Sequence, residues 1–152
     1  MLSVKRTMLL YLLCLSTAAA SAQTTNPAPT PAFANQPAFI ALQEQTLSKA
    51  MLLAKGDQAV IQLADDFTFS GEVMSNEQVY HNLQTLLVRT TSYNNAVLQI
   101  SRQNNQDGTV AFAAHIFANR STDGFQLKRA NDGNYSLQKF ETALVLQDCN
   151  LR

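Results

Sequence analysis

Apolar positions change their spacing along this chain, and each change predicts an element. Residues 8–15 (MLLYLLCL) are apolar without interruption. Over 38–55, Ile40, Leu47, Ala50, Met51 and Ala54 recur near helical spacing, which predicts a helix stopped by Gly56. Asp57 can cap a second short helix carrying Val60, Ile61, Leu63 and Ala64. At 65–71 (DDFTFSG) the period becomes two, with Phe67 and Phe69 pointing one way, so a short strand closed by glycine is expected. Ser75, with Gln78 three residues on, matches a capping box. It opens a third predicted helix with Val79, Tyr80, Leu83, Leu86 and Leu87 on its apolar face.

Beyond residue 95 the period is two throughout. Asp-Gly occurs at 107–108, 123–124 and 132–133, each time between apolar or alternating runs. This dipeptide supplies the positive backbone dihedrals of two-residue hairpin turns. Four strands are therefore predicted, about 95–104, 109–120, 125–130 and 134–147, in an antiparallel meander. One face carries Ala96, Leu98 and Ile100, then Val110, Phe112, Ala114 and Ile116, then Phe125 and Leu127. In the last strand Tyr135 and Leu137 oppose Phe140, Leu144 and Leu146 in parity, which predicts a bulge near Gln138 and Lys139. The 109–120 strand is apolar on its other face too (Ala111, Ala113, His115, Phe117). It should be central, with helices on one side and another surface, such as a second copy of the chain, on the other. The expected class is α+β.

Composition divides the chain further. Lys5 and Arg6, the apolar run and an A-x-A site at Ala20-Ser21-Ala22 form a secretory signal over 1–22, cleaved before Gln23. Cys14 follows Leu13 inside the apolar run, which argues against a lipoprotein. Residues 23–37 (QTTNPAPTPAFANQP) hold all 4 Pro and read as a disordered, extended tether. The single folded domain is then 38–152, with all 5 Gly.

Processing alters the charge. The full chain balances 11 basic against 11 acidic residues; without its first 22 residues, 130 remain, with 9 basic against 11 acidic, net −2. No excess of cations is left to hold a polyanion, so no nucleic-acid partner is expected. Nor is stable membrane insertion expected once the signal is gone. Cys149 remains alone near the C-terminus, where an incidental role is expected. The zincin, P-loop, dinucleotide and nucleophile-elbow motifs are absent, and two His with one Cys make a poor metal set. No cofactor and no metal are expected. Asn119-Arg120-Ser121 fits a glycosylation acceptor, and Lys128 and Arg129 point to opposite faces of one strand, so they form no patch.

This order of elements resembles the NTF2-like (SnoaL-like) superfamily over about 38–147. It rests on two helices, the string ADDFTFSG from Ala64, a capped third helix and a four-stranded meander closing on DGNYSLQKFE at 132–141. Tyr135 stands where many members have Trp. The resemblance implies a cone in which a curved sheet wraps N-terminal helices around a pocket, with the outer sheet face forming a homodimer. In the ketosteroid-isomerase branch, an Asp a few residues beyond a similar string is the general base. Here the positions read Phe69-Ser70-Gly71-Glu72.

The candidate chemistry is correspondingly sparse. His115, among small neighbours, and Glu72 are the candidate acid–base groups. Phe69, Tyr80, His115, Phe117 and Tyr135 are the candidate binding residues. Asp65 and Asp66 are expected to cap or face solvent, and His81 to be exposed. The leading expectation is an exported, non-catalytic domain that binds a small apolar or amphipathic ligand, or a protein partner, in the cone. The alternatives are an isomerase or dehydratase using His115 or Glu72 with a Tyr, and a homodimeric assembly module acting through the outer sheet face.

Overall fold

The computed structural model describes residues 28–141; the expected signal and cleavage site, Cys149 and the expected strand positions Leu144 and Leu146 lie outside the described residues. The elements are β1 (Phe39–Leu42), α1 (Glu44–Ala50), β2 (Gln58–Ala64), β3 (Phe67–Tyr80), β4 (Leu83–Arg89), β5 (Val97–Asn104), β6 (Val110–Phe117), β7 (Asp123–Arg129) and β8 (Tyr135–Glu141). The strands form one antiparallel sheet in the order β1-β8-β7-β6-β5-β4-β3-β2. From β2 to β8 it is a meander. Among the described strands only β1 crosses the molecule, pairing Phe39 with Gln138 and Leu42 with Tyr135. The sheet curls into a half-barrel, so that its two edges, β1 and β2, approach each other without pairing.

This architecture overturns the α+β cone with N-terminal helices, and the NTF2-like assignment falls with it. The helix expected over 38–55 is β1 followed by α1, seven residues long. The helix expected after Asp57 is β2, where Ala59, Ile61 and Leu63 are buried between exposed Gln58, Val60 and Gln62. The third helix is the β3–β4 hairpin. Ser75 and Gln78 pair with Leu87 and Gln84, and Val79 and Tyr80 stand exposed near its tip. Two register shifts, between Val73 and Ser75 and between Gln78 and Tyr80, break the two-residue alternation and mask the strand signal. Runs rich in Gln, Leu and Ala carry no strong strand preference of their own, so pairing with neighbouring strands decides their state.

The meander half keeps its expected strands with three corrections. Asp107-Gly108 and Asp132-Gly133 are turns, with Gly at φ 81° and 88°. Hydrogen bonds from Thr109 hold the Asp107 carboxyl below its ordinary range, and those from Asn134 do the same for Asp132. Asp123-Gly124 is instead the start of β7, and the preceding bend includes Arg120 at φ 53°. The expected bulge near Gln138 is absent: β8 pairs with β7 in unbroken register from Glu141↔Asp123 to Tyr135↔Arg129. The parity break arises because Lys139 faces inward and Phe140 packs over Gly124 on the outside. Finally, β6 is central but, among the described residues, covered on one face only. Phe112, Ala114 and Ile116 are buried, whereas Ala113 and Phe117 are exposed.

The interior is filled by the protein's own side chains. Phe33, Phe67 and Phe125 are fully buried. Their rings and that of Tyr93 lie 5.3–6.4 Å apart by centroid, mostly edge-on or tilted, as aromatic quadrupoles favour. Across the other end α1 contributes Leu47 and Ala50. The carbonyl beyond it, Met51 O, accepts from Asn76 Nδ2 (2.9 Å) and Gln84 Nε2 (3.2 Å), two side chains that the β3 bulge and β4 turn toward it.

Candidate functional site

The residues singled out by the sequence do not converge. Phe69 is fully buried in the core. Tyr135 is buried at the end of β8, where its Oη accepts the Phe112 N–H at 3.2 Å. Tyr80 is 65% exposed on the β3–β4 hairpin. Glu72 lies on the exposed side of β3, between Gln58 and Arg89. His115 and Phe117 are on the outer face of β6, stacked at 5.5 Å and 10°. Asp65, Asp66 and His81 are exposed in turns. An acid–base partnership of His115 or Glu72 with Tyr80 or Tyr135 therefore has no common surface to act on.

His115 still has a readable electrostatic setting. Partial burial, and then the nearby Lys128 ammonium, push its pKa below the ordinary 6.5. The unfolded chain thus takes up a proton from pH 6.5 downward while the folded chain resists it. The corresponding stability is present above pH 6.5 and is lost as pH falls through the lowered folded value. The expected result is a urea midpoint that drops on acidification from pH 7.5 to 5.5, with a smaller drop in His115→Gln. An identical pH profile in the two proteins would rule out this contribution.

A concavity among the described residues lies elsewhere. A groove of about 940 Å³ runs over the rim made by β1, the β7–β8 turn and the start of α1. Leu42, Tyr135 and Phe39, which is 59% exposed, form its apolar part. Lys128 and Arg129 supply positive charge, Glu44 and Asp132 negative charge, and Gln43, Gln45, Asn134 and Gln138 hydrogen-bonding groups. Arg129 lies over the Tyr135 ring, 5.7 Å from guanidinium carbon to centroid. Strand alternation should separate Lys128 from Arg129. They meet because β7 ends there and the groove passes around the sheet rim, touching outward and inward positions together. A smaller hollow of about 540 Å³ on β2–β4 contains Glu72 and Arg89 but neither His nor Tyr.

Sequence reading missed Phe39, Lys128 and Arg129 as site residues. The available signal was local: two adjacent cations immediately before an Asp-Gly turn, where a strand must end. Among the described residues, no group of three or more His, Cys, Asp or Glu side chains is placed to hold a metal. None of the helices there is long and apolar enough to cross a membrane. Comparison with protein-family models, curated proteins and solved structures finds no match.

Proposed function

We propose that this chain is an exported, non-catalytic binding module that holds a small amphipathic ligand in the groove across β1, β7 and β8. The observation that carries this reading is the groove's composition. It sets exposed Phe39 beside Lys128 and Arg129, neither of them ion-paired among the described residues. An apolar wall with a few polar groups at one end suits a ligand with a short hydrocarbon part and an anionic head. The packed interior supports a rim site over an internal one. Export rests on the charged, apolar and small-residue order of residues 1–22. Recovery of exported chain beginning at Gln23 is the expected result, and chain retaining Met1 would overturn that part.

The binding test is a titration with decanoate followed by amide NMR shifts. Shifts should cluster on β1, the β7–β8 turn and the start of α1. Arg129→Ala should weaken binding about tenfold, the loss of one charge-assisted contact. Phe39→Ser should weaken it as well. Unchanged affinity in both variants, or shifts confined to other surfaces, would remove the groove as the site.

A further inference from the structure

The N-terminal segment enters the barrel without joining its sheet. Residues 32–36 form a turn, closed by Gln36 N–H donating to Phe33 O at 3.0 Å. One side chain anchors it: Phe33 is fully buried among Phe67, Tyr93 and Phe125, while Ala34, Asn35 and Pro37 are exposed. The backbone is held by two charged side chains from the far end of the chain. The Asp123 carboxylate accepts the Ala32 N–H (2.8 Å) and the Phe33 N–H (3.1 Å), and is itself oriented by Ser121 Oγ at 2.6 Å. Lys139 Nζ donates to Phe33 O and Gln36 O, both at 2.6 Å, and sits 5.7 Å from the centre of the Phe125 ring.

Asp123 is buried, so with the turn removed its carboxylate would keep the Ser121 hydroxyl but lose two backbone donors. The slot thus presents an acceptor for consecutive N–H groups, a cation for two carbonyls and an aromatic pocket for one ring. None of the polar contacts depends on the side chains of the turn. Those are the requirements of a peptide-binding site, and the protein's own turn satisfies them in cis.

We propose that this slot is a peptide-binding site, self-occupied by residues 32–36, and that a peptide presenting a phenyl side chain on a similar turn displaces them in trans. The slot lies at the Asp123 and Lys139 end of β7 and β8, opposite the groove at Arg129 and Tyr135, so the proposal does not depend on the ligand assigned there. Displacement is physically accessible because the turn is tied by one buried ring and side-chain hydrogen bonds. A segment so attached opens locally, without unfolding the sheet. While the cis turn is docked for about 90–99% of the time, a competing peptide loses about ten- to a hundredfold in apparent affinity.

The experiment titrates a synthetic peptide of residues 28–37 (APTPAFANQP) into wild-type protein and Phe33→Ala, with the same peptide carrying Ala for Phe as control. Phe33→Ala should bind the peptide at least tenfold more tightly than wild type, and should not bind the control. Equal affinity in the two proteins, or no binding to a folded Phe33→Ala, would overturn the proposal. Hydrogen exchange of the wild-type protein decides the matter if the variant does not fold. The Ala32 and Phe33 amides should exchange at least tenfold faster than those of Phe125 and Leu127. Exchange of all four at one common rate would make the turn an inseparable part of the core and overturn the proposal.

Discussion

Phe67→Ala is expected to lower stability by about 3–5 kcal/mol, the usual cost of emptying a fully buried phenylalanine site. Phe67 is the first residue of β3, and its ring contacts those of Phe33, Tyr93 and Phe125, which come from three separate segments. The lost side chain leaves a cavity that these rings cannot close together, because each is fixed by a different part of the chain. A small domain has about 5–15 kcal/mol in total, so the variant should be near its folding threshold. The check is urea denaturation, with the midpoint falling sharply and the slope unchanged. A loss below about 1 kcal/mol would contradict the close-packed interior on which the rim site is argued.

Gly71→Ala should be nearly as damaging, about 3 kcal/mol, for the opposite reason. Gly71 sits in β3 where the backbone of β4 ends. A Cβ there would collide with the carbonyl of Arg89 and come within 2.9 Å of the Thr90 nitrogen. Both are main-chain atoms, so no rotamer change relieves the contact and the strands must separate locally. The same denaturation series tests this, with Ser70→Ala as the neighbouring control on an exposed position. A Gly71→Ala midpoint equal to that control would show that the strand junction has room to move.

The two halves of the chain differ in how much of this was legible. In the C-terminal half, Asp107-Gly108 and Asp132-Gly133 force turns by local backbone geometry, and Leu98-x-Ile100 or Phe112-x-Ala114-x-Ile116 reads directly as a buried face. Asp123-Gly124 looked identical and is not a turn, because the bend is made at 118–122 and the carboxylate serves a segment 90 residues away. In the N-terminal half, Val60, Ile61, Leu63 and Ala64 fit a helix face as well as a strand. Only the pairing of β2 with β3 selects the strand. The β3 bulges then conceal the next strand by moving Asn76 onto the inner side.

The candidate site was less legible than the fold. His115, Glu72 and Tyr80 were attractive by residue type, but type says nothing about convergence, and the curled sheet scatters them over separate surfaces. Phe33 lay in a proline-rich stretch that reads as a tether, with no periodicity to mark it as core. Its burial is visible only with Lys139, which holds its carbonyl from 106 residues away.

What the sequence determined by itself was the antiparallel meander from β5 to β8, because two-residue alternation and glycine turns act between residues close along the chain. The strand at Phe67–Phe69 was legible too, but the tertiary structure decided that 39–42, 58–64 and 72–89 are strands, that β1 pairs with β8, that Phe33 inserts and that Lys128 and Arg129 share a rim. The β1 pairing and the Phe33 insertion depend on contacts between distant segments, which leave no periodic trace, whereas β2 to β4 pair with near neighbours whose residues suit a helix face as well as a strand.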